Sequence, residues 1–164
     1  MLENSKKIFF NNLLVIIIIF SLDRISKFYV ILKSESNLSP NLFTSKFLNI
    51  NLIWNDGIAF GLFSFDEKIY YNFMTALIIL IALIILWFIT KTQNIEKIAF
   101  LMVFSGALGN IFDRLYYTSV PDFIDIHVGD FHWFIFNVAD IFITLGVICL
   151  IFKEFFFKDY EHNK

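Results

Sequence analysis

Ala76-Leu77-Ile78-Ile79-Leu80-Ile81-Ala82-Leu83-Ile84-Ile85-Leu86-Trp87-Phe88-Ile89 carries no charge, and its only polar group is the Trp87 indole. Extended back to Tyr70, the run reaches membrane-spanning length, since a helix needs roughly 20 apolar residues to cross the hydrocarbon core. It shows neither strand alternation nor a polar helical face, so no side of it is suited to water. The composition of the whole chain points to the same solvent. Of 164 residues, 58% are hydrophobic, against about 45–50% in ordinary soluble domains, and phenylalanine alone occurs 23 times. A net charge of -2 and a pI near 5.9 leave no basic footprint for nucleic acid. The single cysteine, Cys149, has no partner for an intrachain disulfide and reads as a small hydrophobe in an apolar helix.

Working outward, three more apolar segments appear, at about 8–32, 98–115 and 133–157. With 70–89 they predict an all-α integral membrane protein of four transmembrane helices in a single membrane-embedded domain, 1–164. Lys6 and Lys7 before an apolar stretch invite a cleaved leader, but Phe20-Ser21-Leu22-Asp23 offers no small-x-small cleavage site, so the first span is read as retained. The N-terminal stretch, the turn Lys91–Lys97 and the tail from Lys153 hold seven of the 13 basic residues. The positive-inside bias then places both termini in the cytoplasm. The outer loop 33–69 is too long for a turn. Its Phe47-Leu48-Asn49-Ile50-Asn51-Leu52-Ile53-Trp54 stretch is rich in strand formers, and Asn55-Asp56-Gly57 supplies a hairpin-type turn. A small β-rich cradle outside the membrane is expected there.

Polar residues inside such segments are expensive and default to function. Gly106, Asn110 and Asp113 are spaced by four and three, on one helix face, and Arg114 follows, placed to pair with Asp113 or another carboxylate nearby. A helix-end salt bridge accounts for Asp113 and Arg114 equally well. Asn137 and Asp140 are three apart, with Thr144 continuing their face. A helix running from Trp133 would carry Asp140 about 10 Å below the surface, at about 1.5 Å per residue. Asp122 reads as a loop residue in the hydroxyl-rich connection after Arg114. Two carboxylates brought close could share a proton and activate water. Asp23 and Lys27 are four apart and fit an intrahelical ion pair, while Asn55, Gly57 and Phe60 fit turn and anchor positions. His127 and His132 near Asp125 and Asp130 raise a metal reading, yet nothing resembles His-Glu-x-x-His. No metal is expected.

Five motifs occur in order: Asp23-Arg24-Ile25-Ser26-Lys27, Asn55-Asp56-Gly57-Ile58-Ala59-Phe60-Gly61, Gly106-Ala107-Leu108-Gly109-Asn110-Ile111-Phe112-Asp113-Arg114, Asp122-Phe123-Ile124-Asp125 and Phe136-Asn137-Val138-Ala139-Asp140. Together they resemble the lipoprotein signal peptidases (signal peptidase II), bacterial membrane aspartic peptidases, over nearly the whole chain. The resemblance implies catalytic aspartates at Asp122 and Asp140. It implies a substrate-binding or supporting place for Asp23, Lys27, Asn55, Gly57, Asn110, Asp113, Arg114 and Asn137. It also implies an aspartic endopeptidase that removes signal peptides from diacylglyceryl-modified prolipoproteins, cleaving before the lipidated cysteine. No metal or organic cofactor is implied. The expected partners are the prolipoprotein, membrane lipid and the inhibitor globomycin, and the expected state is a monomer. The expected location is the bacterial inner membrane, with the site facing the periplasm or exterior. One departure stands out: the family usually reads Gly-x-Val-Val before its loop aspartate, and this chain has Thr118-Ser119-Val120-Pro121. The rival reading is a small proton or ion transporter using membrane carboxylates, which would leave the Asn55 and Asp122 motifs unused.

Overall fold

The computed structural model describes residues 2–37, 39–56 and 67–161, with side chains described for 6–37, 39–56 and 69–156. In chain order it contains α1 (Leu2–Asn37), β1 (Asn41–Thr44), β2 (Leu48–Asn55), α2 (Glu67–Lys91), α3 (Asn94–Tyr117), β3 (Val120–Val128), β4 (Phe131–His132) and α4 (Val138–Glu161). The burial pattern is inverted relative to a water-soluble protein. Phe9, Phe10, Ile69, Phe73 and Phe155 are each more than 60% exposed, whereas Asp23, Asp113 and Asn137 are fully buried. Apolar side chains facing outward from helices of this length are stable only against hydrocarbon. Among the described residues, three helical stretches are long and apolar enough to cross a membrane: Lys6–Asn37, Ile69–Lys91 and Asn94–Tyr117.

The central helix is α3, which packs against α1, α2 and α4. Small residues let it approach α4 closely. A Cβ on Gly106 would lie 2.5 Å from the Ala139 carbonyl oxygen, and one on Gly146 would lie 2.6 Å from Val103 Cγ2 and 2.7 Å from the Ala99 carbonyl oxygen. These contacts realise the small-residue packing expected where lipid gives no hydrophobic drive to helix association. At the far end of the same pair, Lys153 Nζ donates to Glu96 Oε1 at 2.8 Å. Leu101, Phe104, Ala107 and Ile111 of α3 form the apolar core with Ala82 and Ile89 of α2.

The strands form one antiparallel sheet in the order β1-β2-β3-β4. It is built where α1 and α3 end and α4 begins. The cradle expected from the first outer loop is therefore made by two loops. Asp122, expected in a loop, lies on β3, opposite Ile53 of β2. The missed signal is the alternation of Ile124, Ile126 and Val128 with Asp125 and His127, which is strand periodicity. Between the pairs Ile50/Ile124 and Ile53/Asp122, β2 has one more residue than β3, a bulge that bends the sheet near the acid.

A second difference concerns the last apolar run. It is not helical from Trp133. The Phe136 carbonyl accepts from the Phe123 and Ile124 N–H groups at 3.0 and 2.8 Å, and the Phe136 N–H donates to the Ile124 carbonyl at 3.1 Å. This pairing keeps the chain extended until Asn137, so α4 starts at Val138 and Asp140 lies in its first turn rather than two turns deep.

Candidate active site

The Phe136–Ile124 bridge sets the neighbouring residue, Asn137, beside the carboxylate of β3. Asn137 Nδ2 donates to Asp122 Oδ1 at 2.6 Å. From the end of β2, Asn55 Nδ2 donates to Asp122 Oδ2 at 2.9 Å. Asp122 is 4% exposed. Burial pushes its carboxyl above the ordinary range, the hydrogen bonds from Asn55 and Asn137 oppose that rise, and the neighbouring Asp140 charge adds to it.

Asn137 also caps α4. Its carbonyl accepts the first intrahelical bond, from the Ile141 N–H at 3.4 Å. Its Oδ1 accepts from the Asp140 N–H at 3.2 Å, and Asp140 Oδ2 accepts from the Asn137 N–H at 3.0 Å. This is a reciprocal capping box built from Asn and Asp, worth about 1 kcal/mol to the helix start. The other oxygen, Asp140 Oδ1, accepts from Asn110 Nδ2 of α3 at 2.8 Å. Asp122 and Asp140 are thus each one hydrogen bond from Asn137, and a carboxylate in the first turn of a helix is favoured by the helix dipole.

Beneath them lies a buried ionic network joining α1 to α3 and α4. Lys27 Nζ bonds Asp113 Oδ2 at 2.5 Å and Asn110 Oδ1 at 2.9 Å, and approaches Asp23 Oδ1 at 3.0 Å. Arg24 bridges the two acids, reaching Asp113 Oδ1 and Oδ2 at 2.5 and 2.8 Å and Asp23 Oδ2 at 2.6 Å. Asp23 Oδ1 also accepts from the Ala139 N–H at 3.0 Å. Two acids meet two bases, so the charges balance, and an N–H of the α4 start is held by α1. Gly109 makes room for this: a Cβ there would lie 2.6 Å from Asp23 Oδ2.

The fold therefore brings Asp23, Lys27, Asn55, Asn110, Asp113, Asn137, Asp122 and Asp140 into one connected set. Arg114, expected to pair with Asp113 or another carboxylate nearby, is turned to a backbone carbonyl instead. Its Nη1 donates to the Asn110 carbonyl at 3.3 Å, because Arg24 and Lys27 already occupy the Asp113 carboxylate. Of the expected turn Asn55-Asp56-Gly57, Asn55 ends β2, while Gly57 and Phe60 lie outside the described residues. The sequence reading gave Arg24 no role, although Arg24 and Lys27, three apart, share a helix face. Asp140 also borders a groove of about 490 Å³ lined by Phe131, Trp133, Phe134, Phe136, Ile141 and Leu145. One acid of the pair therefore stands at the edge of an apolar groove. Farther along β3, Asp125 is buried. Burial raises its carboxyl, but hydrogen bonds from His132 and Asn49 outweigh that and leave it below the ordinary range.

Comparison with known proteins agrees with this arrangement. Residues 15–156 match the family model described as Signal peptidase (SPase) II. The chain is 49% identical over 158 residues to the lipoprotein signal peptidase of Pelagibacter ubique strain HTCC1062, covering 96% of this chain and 95% of that protein. It is 37% identical to the lipoprotein signal peptidase of Anaplasma marginale strain Florida, covering 86% and 82% of the two. Its fold resembles a bacterial membrane enzyme structure obtained by the in meso method at 1.9 Å resolution, with a TM-score of 0.74, 29% identity and coverage of 89% of this chain and 93% of that one. A second such structure, at 2.3 Å resolution, gives a TM-score of 0.72 at 28% identity over 94% and 92%. With the family model spanning α2, α3, most of α1 and α4 and both acids, and a relative this similar along almost its full length, the chain belongs to the signal peptidase II family.

Proposed function

We propose that the protein is an aspartic endopeptidase that removes the signal peptides of diacylglyceryl-modified prolipoproteins, cutting before the lipidated cysteine. The observation that carries the aspartic reading is the shared contact of Asp122 and Asp140 with Asn137, which holds two carboxyl groups together at the sheet–helix junction. In this mechanism Asp122, whose burial favours the neutral form, keeps the proton and donates it toward the scissile carbonyl oxygen. Asp140, held by hydrogen bonds from Asn110 Nδ2 and the Asn137 N–H, takes a proton from water as the water oxygen attacks the carbonyl carbon. The tetrahedral intermediate collapses as that proton passes to the leaving amine. Asn55, Asn110 and Asn137 orient the two acids, and Asp23, Arg24, Lys27 and Asp113 hold the helices that carry them. The apolar groove beside Asp140 receives the apolar part of the substrate.

Around this site we place four spans in one membrane-embedded domain, with α4 the fourth. Both termini lie in the cytoplasm, and the sheet and site lie on the outer face of a bacterial inner membrane. The chain acts as a monomer, and globomycin blocks it by occupying the site. The deciding experiment is cleavage of a purified diacylglyceryl precursor by the purified protein. Asp122→Asn and Asp140→Asn should each abolish product while leaving abundance and thermal unfolding near the wild type, since the amide keeps the shape but neither takes nor gives the proton. Substantial cleavage by either variant would remove that residue from catalysis.

A further inference from the structure

The end of the sheet away from Asp122 holds a cluster to which the proposed peptidase chemistry gives no role, although His127 also lines the groove beside Asp140. His127 of β3 stands directly opposite His132 of β4. Side chains in such a pair leave the same face of the sheet a few ångströms apart, and here the rings stack with centroids 4.8 Å apart and planes 15° apart. Asp125 precedes His127 by two residues, so strand periodicity puts it on the same face. Its Oδ1 and Oδ2 are each 3.0 Å from His132 Nδ1. One donor atom from each of the three side chains lies within 4.8 Å of the others. His127 Nδ1 is buried and has no hydrogen-bond partner among the described residues. A buried ring nitrogen left in that state is costly and asks for a partner.

We propose that Asp125, His127 and His132 form a site for a divalent transition-metal ion of the zinc class, apart from the catalytic dyad. Two imidazoles and one carboxylate match the donor preference of Zn²⁺, and a water on the exposed side completes a tetrahedron. His132 is half exposed at its side chain, which leaves that fourth direction open. Zinc bonds of about 2.0–2.1 Å place tetrahedral donors about 3.3 Å apart, so the three groups must draw together slightly. Rotation of the half-exposed His132 ring supplies that movement. Asn49 Nδ2 donates to Asp125 Oδ2 at 3.1 Å and so orients the carboxylate from outside the donor set. Bound metal would fasten β4 to β3 just ahead of the Phe136–Asn137 segment, giving the ion a structural role. The sequence alone pointed away from metal because the donors meet through the strand register, not through a helical spacing.

The test is a titration of the purified full-length protein in detergent, stripped of metal and then given Zn²⁺ alone in competition with a chromophoric indicator. One Zn²⁺ per chain should bind saturably, and the thermal unfolding temperature should rise with it. His127→Phe should weaken binding at least about a hundredfold, because even an outer-shell partner is worth about ten- to a hundredfold. It should also abolish the thermal shift. His127 is the informative position, because its Nδ1 makes no bond in the described structure whose loss would unfold the hairpin. With Co²⁺ as probe, tetrahedral visible bands should appear in the wild type and vanish in His127→Phe. His162→Gln, changing the third histidine of the chain, should bind as the wild type does. Absence of saturable binding at micromolar Zn²⁺, equal binding by His127→Phe, or loss of binding in His162→Gln would each overturn the proposal.

Discussion

At the scale of single residues, the two acids differ in what surrounds them. Asp122 is enclosed by strands and amides, and burial raises its carboxyl above the ordinary aspartate value of about 3.9. A rate that needs a proton on Asp122 is full below that raised pKa and lost as pH rises through it. Asn55 donates to the charged form and so works against the rise. We expect Asn55→Ala to move the alkaline limb of kcat/KM to higher pH, measured on a lipidated precursor; a shift to lower pH would contradict the assignment of the proton to Asp122. Both acids stood out in the sequence because each sits in a short motif of the family resemblance, and the fold brings both to Asn137. The setting of Asp122 did not. The hydroxyl-rich approach through Thr118 and Ser119 masked a strand that begins at Val120. At Thr118 the backbone is left-handed, φ 60, a conformation glycine adopts without cost. The departure noted from the family pattern therefore falls where α3 ends, and Pro121 simply enters β3 opposite Trp54.

Between elements, the buried network of α1 and α3 is the main electrostatic commitment. Asp113→Asn would leave Arg24 and Lys27 facing only Asp23, and breaking a buried pair from one side costs about 3–5 kcal/mol. We expect that loss in unfolding measured in detergent. The double variant Asp113→Asn/Lys27→Met should recover part of it, since Asp23 and Arg24 then balance; no recovery would show that shape rather than charge governs the site. The helices were legible because lipid exposure makes their apolar runs continuous: α2 and α3 fall within a few residues of the expected 70–89 and 98–115. The start of α4 was hidden for the same reason. Trp133 to Phe136 are as apolar as the helix that follows, and only their pairing with β3 shows that they are extended. Arg24 was hidden by its neighbours, because Asp23 and Lys27 explain one another locally while the partner in α3 is 89 positions from Arg24 in sequence.

At the scale of the whole molecule, the proposed topology and substrate make separate predictions. A cysteine at Gln93, on the exposed turn between α2 and α3, should resist membrane-impermeant labelling in intact cells, while one at exposed Lys46 should react. Reaction at Gln93 would put the site on the other face. Drawing an acyl chain out of hydrocarbon costs about 0.8 kcal/mol per CH₂, and a site at the membrane edge lets the lipid stay where it is. An unlipidated precursor should therefore be cleaved far more slowly than its diacylglyceryl form, and equal rates would sink the lipoprotein assignment while sparing the dyad. The reciprocal cap at the start of α4 carries a last consequence, for heredity rather than for chemistry. In the proposed mechanism Asp140 answers to two selective demands at once, the launch of a helix and the handling of a proton, and Asn137 to the launch of the helix and the aiming of both acids. Few replacements at either position satisfy both. Drugs gripping these two side chains would therefore meet few tolerated substitutions at the point of contact.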